Sequence, residues 1–292
     1  MVKIRCYIKR ISCICLLLPQ LVFAIDLLPD DVIAPPPGIQ QIQINYQRSE
    51  RGDRYSQGQK TYTGGEIINT QTQLKYGRSF ELNALPAYFY VQTPITEIST
   101  SGIFASQSTN SGPGDTTFAF ALWPYANRNT DTYIGLASYL TIPSGSYHNQ
   151  NTYNAGENRY KWALQAGYEQ PIYKNLNWMS AVDTLWFSEN DDYGNAHDSR
   201  KQKALHSAQT AFIYKINSIY TASVGYFYSV GGVTSINGAS QNDMTQNHRY
   251  QISGIANLPI GRLTLQYGQE MSTRNGFIED ARWILRYSKY FK

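Results

Sequence analysis

The sequence predicts an all-β fold: a transmembrane, antiparallel, up-and-down β-barrel of twelve strands. Three observations carry that expectation. Apolar and polar residues alternate at period two along most of the chain, the connections alternate between short and long, and the N-terminus reads as a secretory leader. The clearest unit runs from Arg159 to Gly194. Tyr160, Trp162, Leu164, Ala166 and Tyr168 fall on one strand face, and Lys161, Ala163, Gln165, Gly167 and Glu169 on the other. A turn at Pro171–Asn175 leads into a second strand, Leu176–Ser188, and a polar loop opens at Asn190-Asp191-Asp192. A soluble antiparallel sandwich alternates in the same way and is the rival architecture. It gives no reason for loops to be sorted by length.

Taken in order, residues 1–24 form the leader. Lys3, Arg5, Lys9 and Arg10 precede an apolar run, Ile11–Phe23, and the small residue Ala24 sits before Ile25. The run is short for a membrane anchor and Pro19 interrupts it. Cys6, Cys13 and Cys15 all lie inside the leader, so the chain beyond it has no thiol for a disulfide, a thiolate metal site or a cysteine nucleophile. The leader also holds four of the 25 Lys and Arg residues. The chain beyond it carries 21 basic against 21 acidic residues, with no sign of a nucleic-acid surface. Residues 25–38, with Asp30-Asp31 and Pro35-Pro36-Pro37, are expected to be an extended periplasmic lead-in, because three prolines cannot sit inside a sheet. Residues 39–292 form the barrel.

Within it the strands are expected near 39–51, 67–76, 82–92, 116–124, 132–142, 160–169, 176–188, 205–216, 219–230, 249–258, 262–271 and 280–291. Short turns fall at Gly77–Phe80, Ala126–Thr130, Pro171–Asn175, Asn217 and Pro259–Gly261, and longer loops lie between them. An even count puts both ends of the barrel on the short-turn side, the periplasm. The 24 tyrosines suit a membrane–water boundary, where a ring is buried and its hydroxyl stays wet. Trp283, Tyr287 and Phe291 alternate along the last strand, where outer-membrane assembly machinery reads a terminal aromatic residue; Lys292 displaces that signal by one.

Several segments carry a family resemblance: Gly114-Asp115, the run Thr141–Tyr147, the run Gly156–Trp162, Asn190–Gly194, Gly231-Gly232, Gln241–Asp243, Ser272–Phe277, and Glu279-Asp280 with Arg282. As a set, over about Gly38–Phe291, they resemble the transporter-like "MetA-pathway" phenol-degradation family. The resemblance implies an outer-membrane barrel of a Gram-negative bacterium and uptake of small molecules, aromatic compounds among them. It supplies no binding residue.

The residues themselves offer little catalytic chemistry. His148 and His197 fall in loops. His206-Ser207 invites comparison with an outer-membrane phospholipase, but neighbours in a strand point to opposite faces. Asp191-Asp192 with His197-Asp198 offers only a faint protease-like set within one loop, and Asn190–Asp192 reads as a polar bend sooner than a calcium site. The expected function is therefore a passive channel or transporter with no cofactor or metal, its partners being outer-membrane lipid, the assembly machinery and a small-molecule solute. An outer-membrane hydrolase and a structural or adhesive barrel are the alternatives. Lys161, Glu169, Asp183, Arg262, Glu270, Asp280, Arg282 and Arg286 are expected to point inward, either as a mixed-charge pore lining or as a salt-bridge network filling the barrel.

Overall fold

The computed structural model describes residues 25–292, so the leader expected over 1–24 lies outside the described residues. Twelve antiparallel strands close into a barrel: β1 Gln40–Ser56, β2 Gly65–Leu82, β3 Leu85–Gly102, β4 Thr116–Asn127, β5 Thr132–Ile142, β6 Lys161–Tyr173, β7 Leu176–Phe187, β8 Leu205–Lys215, β9 Tyr220–Gly231, β10 Thr245–Leu258, β11 Gly261–Thr273 and β12 Gly276–Phe291. Each pairs with its sequence neighbours. Closure comes from β12 against β1, with Gln40 opposite Phe291 and Tyr46 opposite Leu285. No barrel edge is left to pair with another chain or to stand unsatisfied in lipid.

Alternation decides which way each side chain points. On β1, Gln41, Gln43, Asn45 and Gln47 are buried inside, while Ile42, Ile44 and Tyr46 are exposed on the outer wall. The same division gives an apolar outer band that includes Leu74, Leu136, Leu164, Val182, Val224, Ile252, Leu265 and Leu285. Aromatic pairs brace it across neighbouring strands, as where Trp162 stacks on Trp186 with centroids 4.8 Å apart and Tyr267 meets Trp283 at 4.7 Å. The short-turn end is tight: Asn83 and Ala84, both at positive φ, join β2 to β3 as a two-residue hairpin turn. At the long-loop end, Asn190–Tyr193, Asp198–Gln202, Thr234–Ile236 and Ala239–Ser240 build a separate four-stranded sheet out of two loops.

Four expectations need correction. The turn expected at Gly77–Phe80 lies inside β2, and the chain reverses at Asn83-Ala84 instead. β3 does not stop near Gln92 but continues to Gly102. Pro94 is tolerated because pairing with β4 ends at Gln92 and resumes only at Ile95, against the short strand Gly112–Pro113; a residue without an N–H suits that gap. Asp280 does not point inward. Glu50 pairs with Ala281 and Arg51 with Glu279, so Asp280 is the extra residue of a bulge, which reverses parity above it. Glu279 takes the inward position, and Asp280 is exposed beside Gly52, where a Cβ would collide with its carboxylate. Finally, residues 25–38 are not a periplasmic lead-in. They turn back at the short-turn rim and run up inside the barrel.

The two faces of β12 give a direct test. An arginine on the lipid face costs about 2–4 kcal/mol near the bilayer midplane, so Leu285→Arg is expected to block assembly, whereas Arg286→Gln, one residue away and inward, is expected to leave a folded barrel. Heat-modifiable migration on a gel reads both; equal assembly of the two variants would refute the facing of this strand.

Candidate functional site: a lumen shared by a plug and a cavity

The inner segment is fixed from its base upward. Ser79 anchors the turn, its hydroxyl donating to the Pro36 carbonyl at 2.5 Å and accepting from Ile39 N at 2.9 Å. Above it, Val32 and Ala34 pack into a buried apolar patch of Trp123, Tyr133, Met179, Ala211 and Ile213. Trp123 Nε1 donates to the Val32 carbonyl at 2.7 Å. Val32 rests over Gly167, where a Cβ would come within 3.0 Å of it. The first described residue, Ile25, lies among the inward residues of β4–β8 and packs against Ala119, Tyr139, Ala163, Leu185 and Leu205. Gln209 Oε1 accepts from Leu27 N at 3.2 Å.

Three aspartates of this plug meet four arginines of the wall. Asp26 pairs with Arg249 and, at 3.1 Å, with Arg282. Asp30 pairs with Arg262 at 2.8 Å, and both Asp31 oxygens lie 2.9 Å from one nitrogen of Arg286. Behind Asp26 lies a fully buried carboxylate, Glu279. It accepts from Arg51 at 3.2 Å, Arg282 at 3.0 Å and the Ser49 hydroxyl at 2.5 Å. Glu270 accepts from the Glu279 backbone N–H at 2.9 Å and from Asn247 at 2.7 Å. Pairing of this kind offsets the cost of burying these charges.

The residues singled out from sequence do not share one role. Arg262, Arg282 and Arg286 hold the plug. Glu270 is buried against Asn247 and the Glu279 backbone. Glu169 is fully buried and accepts from Asn177 at 3.1 Å; Asp183 is buried and accepts from the Ser207 hydroxyl. Lys161 reaches Glu157 at 2.6 Å near the long-loop mouth. Asp280 stands outside. Sequence patterning misses Glu279, Arg249, Arg51 and the plug aspartates. The signal that could have found them is charge complementarity: Asp26, Asp30 and Asp31 precede a barrel whose inward positions on β10–β12 are rich in arginine. His206 points outward to Thr184 while Ser207 faces Asp183, so the two do not meet.

The plug fills only one side of the lumen. Between it and the wall made by β1–β6 lies a cavity of about 440 Å³. Its wall is mostly uncharged: Gln41, Asn45, Asn69, Gln71, Gln73 and Gln92 present amides, and Tyr88, Tyr90 and Tyr139 present rings. The amides bond one another, Gln73 Oε1 accepting from Asn45 at 2.9 Å and Gln92 at 3.1 Å. Tyr88 lies across Gly77, where any Cβ would strike its ring. Lys161, Arg262, Arg282 and Arg286 border the same space.

At the long-loop mouth four of the segments behind the family resemblance come together: Gly114-Asp115, Thr141–Tyr147, Gly156–Trp162 and Asn190–Gly194. Asp115 accepts the backbone N–H groups of Gly145 at 3.0 Å and Glu157 at 2.9 Å. Gly145 and Gly156 touch backbone to backbone, and a Cβ on either would lie within 2.8 Å of the other strand of the knot. Asn190 is buried between Tyr147, at 3.0 Å, and the Glu157 carbonyl, at 3.1 Å. This is loop architecture, and among the described residues no group of three His, Cys, Asp or Glu could hold a metal. Burial pushes the Asp115 carboxyl up. Burial acts on Glu157 in the same sense, but Lys161 and Arg159 outweigh it and hold that carboxyl well below the usual range.

A family model described as "Putative MetA-pathway of phenol degradation" matches residues 51–286. No curated protein matches the sequence. Among solved structures, an outer membrane channel from Pseudomonas putida F1 superposes with a TM-score of 0.87 at 27% identity, over 91% of this chain and 100% of that one. The β domain of the Bordetella autotransporter BrkA gives 0.52 at 10% identity, over 86% of this chain and 99% of that one. The transport unit of the Escherichia coli autotransporter AIDA-I gives 0.50 at 9%, over 92% and 94%. The last two share the fold alone.

Two outcomes test this site. Asp26→Asn removes the carboxylate between Arg249 and Arg282, and breaking a buried pair costs about 3–5 kcal/mol. Combined with Asp31→Asn it is expected to unseat the plug and raise conductance several-fold in planar bilayers, with the barrel still heat-modifiable; unchanged conductance would mean that Val32 and Ala34 suffice to hold it. Asp115→Asn keeps the shape but offers one acceptor where two N–H groups need one each. It is expected to loosen the 143–160 loop by about 1–3 kcal/mol, read as faster limited proteolysis there.

Proposed function

The chain belongs to the family described as "Putative MetA-pathway of phenol degradation", and from that premise we propose that it is a passive outer-membrane channel of a Gram-negative bacterium, for small molecules with aromatic compounds among them. The observation that carries this reading is the cavity beside the plug. It runs from Tyr153 and Glu157 at the long-loop mouth to Ile39 and Tyr290 near the short-turn rim. Its breadth suits single small solutes, not polymers, since ligand sites of this kind span about 300–1,000 Å³. The likeness to the P. putida channel, at 27% identity over nearly the whole chain, supports the same reading.

The wall has two chemistries with two roles. Amides of β1–β3 offer hydrogen bonds without net charge, so a polar solute can exchange partners along them without being trapped. Tyrosine rings offer flat apolar contact. We assign selectivity among charged solutes to Lys161, Arg262, Arg282 and Arg286, which border the cavity, while Glu169, Asp183 and Glu270 stabilise the wall. A hydrolase would require a nucleophile and base within hydrogen-bond reach, and His206 and Ser207 face apart.

Swelling of liposomes containing the refolded barrel tests the reading. Uptake is expected for small neutral solutes and to fall steeply as solute size approaches that of a disaccharide. No swelling with any solute, together with phospholipid or peptide turnover that His206→Ala abolishes, would replace the channel by an enzyme.

A further inference from the structure

Lys75 points inward from β2 and borders the cavity. Among the described residues it makes no ion pair. Asp31 lines the same cavity, and one nitrogen of Arg286 occupies both its oxygens. Here two cations share one anion, and the site carries an uncompensated positive charge. The Lys75 ammonium instead sits 4.1 Å from the centroid of the Tyr90 ring and 5.7 Å from that of Tyr88. Those rings are neighbours, 5.9 Å apart, and Tyr139 continues the row 6.4 Å beyond Tyr90. A cation resting on a ring keeps its outer side free to meet an anion.

We propose that Lys75 is an anion subsite of the channel, and that it takes the carboxylate of a small aromatic acid whose ring lies along Tyr88, Tyr90 and Tyr139. The lining as a whole is balanced, five basic against five acidic side chains, but locally Lys75 and Arg286 face Asp31 alone, and that local excess calls for one negative charge. The tyrosine row calls for a flat apolar body within a few ångströms of it, and the amides of Gln73 and Gln92 beside it suit polar substituents on that body. The cavity holds a single-ring acid with room to spare. The subsite names the solute class of the channel reading above and rests on it for its physiological use.

The test is calorimetric titration of the folded protein in detergent with benzoate, with benzamide as its neutral counterpart and acetate as an anion without a ring. Wild-type protein is expected to bind benzoate about tenfold more tightly than benzamide, as a charge-assisted contact in a partly dry site allows. It should bind benzoate more tightly than acetate, and its preference over benzamide should shrink as salt rises. Lys75→Met should bring the benzoate-to-benzamide ratio to about one, and Lys75→Arg should restore it, each variant first checked for heat-modifiable migration. If Lys75→Met does not fold, Lys75→Gln and the wild-type salt series carry the same comparison. A wild-type ratio near one, a preference that survives in a folded Lys75→Met or Lys75→Gln barrel, or acetate binding as well as benzoate overturns the proposal. Liposome swelling separates the two readings: neutral flux without benzoate preference sinks the subsite and leaves the channel, and benzoate preference without any flux does the reverse.

Discussion

The buried ion cluster at the barrel seam is the constraint on which the interior depends. Arg51, Arg249 and Arg282 bring three positive charges to one place inside the wall, and the wall itself returns two carboxylates, Glu270 and Glu279. The third carboxylate is Asp26, which reaches both Arg249 and Arg282. The wall is thus one anion short until the plug enters. Burying an uncompensated guanidinium costs several kcal/mol, so the barrel and its N-terminal segment have to be neutralised together. The same cluster straddles β1, β10, β11 and β12, and it ties closure of the sheet to occupation of the lumen.

Barrel geometry explains why such a segment is needed at all. Eight strands enclose an interior that side chains alone can fill, and twelve enclose more. Wall residues here are often short or absent on the plug side: Gly167 lies under Val32, and Gly135 leaves space for Trp123, whose Nε1 donates to the Val32 carbonyl. On the opposite side they are long amides and tyrosines. The lumen is accordingly divided between a packed, ion-paired half and a half left as cavity, and the second is the proposed solute path.

How much of this is legible in the sequence depends on the range of each signal. Period-two alternation is local, and it places the strands and the facing of Lys161, Glu169, Asp183, Arg262, Glu270, Arg282 and Arg286. It fails at Asp280 because a bulge shifts parity by one residue, and no local pattern in that stretch marks a bulge. It stops β3 short at Gln92, where the loop over 93–114 is expected to begin, whereas the strand runs on through Pro94, which a gap in its pairing partner makes harmless. The plug is illegible for a different reason. Pro35-Pro36-Pro37 correctly announces an extended stretch outside the sheet, but the destination of residues 25–34 is set by arginines more than 200 positions away.

The family motifs separate from the cavity-lining residues in the same way. Gly114-Asp115, Gly145, Gly156, Asn190 and Asp243 are spent on loops: backbone contacts that admit no Cβ, and side chains that satisfy loop N–H groups, as Asp243 does for Thr234 N at 2.8 Å. Such positions tolerate few alternatives, because a buried backbone group left without a partner is costly whatever the channel carries. They mark the architecture. The face of the cavity, by contrast, is built from residues that strand geometry merely requires to be inward and polar. An inward Gln, Lys or Tyr at position 73, 75 or 88 leaves the alternation intact, so these positions can change the solute without changing the barrel. A sequence signature that identifies this fold is therefore expected to be nearly silent about what passes through it, and the information lies in the charge balance and ring contacts that only the closed lumen brings together.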